Sequence, residues 1–166
     1  MIAAALSVLS RHLSRPRVIN DRDNQSPYLS RWYVLGRFLG GSPDGRSYGR
    51  LPINVFLHRF HRSDNAGELH SHPWKWALSI ILAGGYSEER RRPDDSVVRR
   101  EVRAPALNFI RNTDYHRVDL IGLDTWTLFI AGPKASTWFF WNRDTRMRMG
   151  WRAFCGLEAG VWERER

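Results

Sequence analysis

The chain has 166 residues, 42% of them hydrophobic, a formal charge of +9 and a single cysteine, Cys155. That length suits one domain with a sizeable core and excludes a disordered chain, and one cysteine excludes an intrachain disulfide and is compatible with a reducing compartment. The charge comes from 24 scattered arginines and two lysines, Lys75 and Lys134, so nucleic acid is not the expected partner.

From the N-terminus, Ile2 to Leu9 is apolar but too short to span a bilayer. Its basic neighbours, Arg11 and Arg15, follow it instead of preceding it, unlike a secretion signal. Residues 2 to 13 read as a short helix ended by Pro16, within an N-terminal helical segment 1–20; no membrane association and a cytoplasmic location are expected. Residues 18 to 29 read as polar and irregular, with Asn20, Asp21, Asp23, Asn24 and Pro27 as turn formers. Trp32 to Leu35 favours a strand, and Gly40 to Gly49 reads as a loop.

Ile53 to Phe60 is a clear strand. Phe56, His58 and Phe60 share one face, and Val55, Leu57 and Arg59 the other, so both faces carry apolar side chains, as inside a sandwich or barrel. His58 reads as a hydrogen-bonded core histidine, an outer partner to any site nearby. His61, three residues on, faces the opposite way and reads as exposed. Asp64 to Gly67 is a turn.

The next stretch, Gly67 to Gly85, organises the rest. His70 and His72 lie two apart, which on a strand puts both imidazoles on one face, where they can share a metal ion. Glu68 has the same parity: it approaches that ion, acts as a base, or is a solvated carboxylate after the turn. Trp74 and Trp76 share the histidine face if Pro73 keeps the register, as an apolar wall over the site or as core packing. Ala77 to Ala83 is an apolar strand closed by Gly84-Gly85.

Tyr86 to Arg91 and Val97 to Val102 read as a hairpin around Pro93-Asp94-Asp95. Its clusters Arg90-Arg91-Arg92 and Arg99-Arg100 suggest that it protrudes into solvent, with an anion-binding surface as the alternative. Ala106 to Ile110 is a strand. Then His116, Val118 and Leu120 share one face and Arg117 and Asp119 the other, which turns His116 inward and Arg117 outward. Thr125 to Ala131 and Ser136 to Trp141 are the last strong strands, joined at Gly132-Pro133. Arg143 to Arg166 carries Trp151, Phe154 and Trp162 and is expected to cover one end of the body. Eight or more short strands without βαβ alternation make an all-β sandwich or barrel: one domain, 1–166, with its core at about 30–142 and a tail at 143–166.

The histidine motifs resemble those of the cupins, small jelly-roll barrels. Gly67, His70, His72 and Gly84 match the first cupin motif loosely and His116 matches the second, over roughly residues 52 to 141. The glutamate of the first motif falls on Trp76 or Ala77, which cannot bind a metal. A three-histidine site without it is similar to that of the thiol dioxygenases, which hold Fe(II) through three imidazoles. The resemblance therefore implies a cupin-type jelly roll with His70, His72 and His116 holding one divalent ion. Fe(II) is favoured, with Zn, Ni or Mn open. It implies an Fe(II) oxygenase or dioxygenase acting on a small anionic substrate. The alternatives are a non-redox metal enzyme (isomerase, epimerase or hydrolase) and a non-catalytic small-molecule-binding module. Arg59, as a bidentate clamp for the substrate anion, and Glu68 are the catalytic candidates; Trp74, Trp76 and His58 are the substrate-binding ones. The expected partner is a small molecule, and a homodimer stays open.

Overall fold

The computed structural model describes residues 1–13, 15–20, 26–35, 52–64, 67–122 and 124–165. Two six-stranded antiparallel sheets make up the body. In the first, β1 (Arg17–Asn20), β2 (Pro27–Tyr33), β3 (Asn54–Phe60), β5 (Trp76–Ala83), β8 (Ala106–Arg111) and β10 (Thr125–Ala131) pair in the order β1-β2-β3-β10-β5-β8. In the second, β4 (Leu69–His70), β6 (Gly85–Arg91), β7 (Val97–Arg103), β9 (His116–Leu120), β11 (Phe139–Asn142) and β12 (Met147–Gly150) run β12-β11-β4-β9-β6-β7. This is the all-β jelly roll expected. Short helices, among them α1 (Ile2–Ser10) and α2 (Trp151–Phe154), flank it, and no helix among the described residues is long and apolar enough to cross a membrane.

Strand parity decides what faces the interior. Along β5, Ala77, Ser79, Ile81 and Ala83 are buried while Trp76, Leu78, Ile80 and Leu82 are half-buried on the other side. Phe129 of β10 pairs with Phe56 of β3 and Ser79 of β5, so the inner face of the first sheet is lined by Phe56, His58 and Phe129. On its outer face, Trp32 stacks on Trp126 with ring centroids 5.6 Å apart, and Ala3 and Leu6 of α1 and Leu13 pack over them. That apolar pairing explains why the N-terminal segment forms a helix on the sheet: covering two indoles and Leu57 stabilises an amphipathic helix that would be marginal alone.

Four expectations need correction. Residues 18 to 29 are not irregular throughout: Arg17–Asn20 is an edge strand paired with β2, because Val18 and Ile19 satisfy their backbone groups on the neighbouring strand. The turn formers Asp21, Asp23 and Asn24 and the loop Gly40 to Gly49 lie outside the described residues. The arginine hairpin does not protrude: β6 is sandwiched between β9 and β7, and Tyr86, Ser87 and Glu88 are buried. The strand expected from Ser136 begins at Phe139, since the backbone N–H groups of Ala135 and Ser136 donate to the Pro73 carbonyl, and a further strand, β12, follows it inside the segment read as a tail.

The fourth correction is Trp76. Pro73 breaks the register after β4, and Trp76 turns to the face opposite Ala77 and Ser79. Its indole packs against Gly132: a Cβ added there would stand 2.5 Å from Trp76 Cε2. Gly132→Ala must push the ring away, and overpacking of this kind costs about 1–3 kcal/mol. The expected result is a lower urea midpoint with an unchanged m-value.

Candidate metal centre and cavity

His70 and His116 are directly opposed on the β4–β9 pair. His72 follows two residues later, outside the strand, where Ser71 N–H donates to the Phe139 carbonyl and anchors the chain on β11. The three imidazoles come together all the same: ring centroids are 5.2 Å apart for His70 and His72, 4.8 Å for His70 and His116, and 5.0 Å for His72 and His116. One ligand nitrogen from each lies within 4.8 Å of the others, and Nε2 of His72 is 2.8 Å from Nε2 of His116. Two nitrogens bound at a right angle to one ion, each about 2.1 Å from it, stand about 3 Å apart.

The donor chemistry also fits a divalent ion. A metal ligand must be a neutral imidazole. Burial pushes the pKa of His70 down to about 4, with the Asp64 carboxylate opposing and the charge of His116 assisting. Burial, then His116 and His70, hold His72 well below the ordinary histidine value. Nδ1 of His72 is buried without a hydrogen-bond partner among the described residues. His70 Nδ1 sits 3.6 Å from Asp64 Oδ2, which leaves Nε2 of that ring for the site.

These depressed values carry a pH prediction for the metal-free protein. A histidine whose folded pKa lies below 6.5 binds fewer protons folded than unfolded, so stability is full above about pH 6.5 and falls as the pH drops towards the folded value. For His70 alone the loss reaches about 3 kcal/mol by pH 4. The thermal midpoint should fall between pH 7 and 5; a flat profile would contradict buried neutral imidazoles.

The three rings line a cavity of about 500 Å³. Glu68, half-buried, is on its wall, as the parity suggested. His58 is there too, buried between Phe56 and Phe60 and accepting the Arg31 Nε–H at 2.9 Å; burial and then Arg31 keep it well below its usual pKa. Trp74 stacks on His72 with centroids 5.9 Å apart and lines a smaller chamber of about 290 Å³ that shares Arg31 with the main cavity. Trp151, Phe154, Cys155 and Leu157 form part of the wall of the larger cavity, so the C-terminal segment does cover one end. His61 is exposed and bonded to Ser30 Oγ.

The structure does not bring Arg59 or Trp76 to this cavity. Arg59 lies on the outer face of β3, over the Trp126 ring and paired with Asp124 at 2.7 Å. Arg117 is likewise taken up by Asp119.

Two residues that sequence reasoning passed over are central. Arg31, on β2 opposite His58, is 8% exposed, lines the cavity, and has no carboxylate within ion-pair range among the described residues. Burial pushes its pKa down to about 10, with Tyr33 opposing and Arg17 assisting. The inward parity of Leu29-Arg31-Tyr33 was the available signal. Glu88, on β6, is fully buried and contacts Nδ1 of His116 at 2.7 Å. Its signal was the shared parity with Tyr86, masked by the surrounding arginines.

No family model matches the chain, and no curated protein does. Solved structures of oxalate decarboxylase from Bacillus subtilis do match in fold. A tryptophan-to-tyrosine variant aligns at 11% identity over 73% of this chain, with a TM-score of 0.50. A serine-to-alanine variant aligns at 14% identity and a glutamate-to-alanine variant at 15%, each over 74% of this chain with a TM-score of 0.50. The aligned region spans only 28–29% of those proteins.

Proposed function

The chain has the cupin fold, and on that premise we propose that it is a metal-dependent enzyme, an Fe(II) oxygenase of the dioxygenase kind acting on a small anionic substrate. The observation that supports a small anionic substrate beside a metal is Arg31: a buried guanidinium without a carboxylate partner among the described residues, in the same cavity as three converging imidazoles. Burying such a cation is costly unless an anion pairs with it, and a substrate carboxylate or similar group meets that need.

An ion held by His70, His72 and His116 would supply Lewis acidity and, as Fe(II), the means to activate oxygen. The protein's own part is positioning. Arg31 clamps the anionic end of the substrate, and His58, by accepting its Nε–H, fixes the plane of the guanidinium. Phe129, packed on His58, His72 and Trp74, excludes water from the inner wall. Glu68 is the cavity carboxylate assigned to proton transfer, and Trp74 walls the side chamber against the non-polar part of the substrate.

The test is to load metal-free protein with Fe(II) anaerobically, add a panel of small thiols and carboxylic acids, admit oxygen, and follow oxygen uptake and product mass. Uptake with a product heavier by two oxygen atoms supports the dioxygenase. Arg31 serves a non-redox reaction equally well, and the structural neighbours are named for a decarboxylation; release of carbon dioxide without net oxygen uptake would select that class. Tight zinc binding with neither reaction would select the binding module.

A further inference from the structure

We propose that Glu88 is a positioning residue for the metal centre: it fixes the proton of His116 on Nδ1 and so aims the Nε2 lone pair into the space shared with His70 and His72. This rests on the reading of those three imidazoles as metal ligands.

An ionised carboxylate only accepts hydrogen bonds, so the 2.7 Å contact between Glu88 Oε1 and His116 Nδ1 requires the proton on Nδ1. His116 Nε2 is then an acceptor, and it is the atom that faces His72 Nε2 at 2.8 Å. With both rings neutral, the proton between those two nitrogens belongs to His72.

The rest of the cluster holds Glu88 ionised and in place. Arg90 Nη2 donates to Oε1 at 3.0 Å and Arg100 Nε to Oε2 at 2.8 Å. Asn108 Nδ2 donates to Oε1 at 2.9 Å and to the Tyr86 hydroxyl oxygen at 2.9 Å. The Asn108 amide is itself locked, because its Oδ1 accepts from both Arg90 and Arg100, and a flip would set its NH₂ against two guanidinium groups. Topology makes the link specific. Glu88 pairs with Arg100 across β6–β7, while Arg90, two residues along the same face, pairs with His116 across β6–β9. Two arginines on the outer hairpin thus neutralise a carboxylate whose remaining contact reaches the cavity. Because those guanidinium groups offset its charge, its main effect on His116 is orientation.

The experiment has two arms. In the full-length metal-free protein labelled with ¹⁵N-histidine, two-bond ¹H–¹⁵N correlations report the tautomer of each ring. His116 is expected as the neutral Nδ1–H form, and a ring protonated on Nε2, alone or as the imidazolium, would overturn the proposal. In the second arm, Zn²⁺ affinity is measured by chelator competition. Glu88→Gln is expected to weaken binding about 10- to 100-fold, the usual cost of losing an outer partner of a metal-bound histidine. Arg100→Met, which leaves Arg90, Asn108 and His116 on the carboxylate, should keep the tautomer and cost less affinity than Glu88→Gln. Undiminished affinity in Glu88→Gln, or equal losses in the two variants, would overturn the assignment in favour of a purely structural cluster. Failure of the native chain to bind Zn²⁺ would overturn the metal reading itself, and the tautomer would then decide for Glu88 alone.

Discussion

His116→Ala is expected to lose divalent-metal binding by more than about 100-fold, beyond the range set by outer partners, because two imidazoles hold an ion far less firmly than three. The fold should survive. Glu88, the buried group most exposed to the change, keeps Arg90, Arg100 and Asn108 as partners, so no uncompensated charge is left in the core. Circular dichroism and the thermal midpoint of the metal-free variant therefore separate loss of the ion from loss of structure. Unchanged metal stoichiometry in a folded His116→Ala protein would remove that residue from the site. The same substitution at His72 should behave alike, since its Nε2 lies closest to His116. At His61, which is exposed and bonded to Ser30, it should change nothing.

Arg31→Met is the second large effect, and its sign differs between stability and binding. The buried guanidinium gives the folded state a desolvation cost that its hydrogen bonds to His58 and Tyr33 and its place over the Phe56 and Trp74 rings offset only in part. An apolar side chain of similar length relieves that cost, so the ligand-free variant should be no less stable than the parent. Binding of a small carboxylate should fall by about 2–5 kcal/mol, roughly 30-fold to several thousand-fold in Kd. Metal affinity should not fall, because Arg31 contacts none of the three clustered rings and its charge opposes a cation near His72. Isothermal titration with short carboxylic acids checks this. Equal affinity in parent and variant would show that the anion, if bound, is held elsewhere. Arg59→Met serves as the control, since Arg59 faces Asp124 on the outside.

The contrast between those two arginines shows where sequence reasoning reached and where it stopped. Parity within a strand was legible: His116 with Val118 inward, Arg117 with Asp119 outward, and the alternation along Ala77 to Ala83 all stand in the structure. Relations across strands were not. Arg59, expected as the substrate clamp, lies on the outer face of β3, while Arg31 on the neighbouring strand is set opposite His58 by a register that no local pattern encodes. Glu88 was hidden for a related reason. A run of arginines reads as a solvated hairpin, and only the placement of β6 between β7 and β9 buries Tyr86 and Glu88 and turns Arg90 and Arg100 into their counter-charges. The glutamate of the first cupin motif was expected to fall on Trp76 or Ala77, which carry no carboxylate; a carboxylate from another strand, Glu88, stands against the far side of His116. Trp76 failed for a local reason, the register break at Pro73, which the sequence did announce.

The claim on which all of this depends is that the three imidazoles hold one ion in the cavity that Arg31 lines. Anomalous diffraction from crystals of the chain loaded with one equivalent of Zn²⁺ or Fe(II), recorded at the metal edge, tests it most directly. The expected map has a single strong peak per chain, about 2.0–2.2 Å from one nitrogen of each of His70, His72 and His116. An empty position between those rings, or a peak seated elsewhere on the chain, would contradict it.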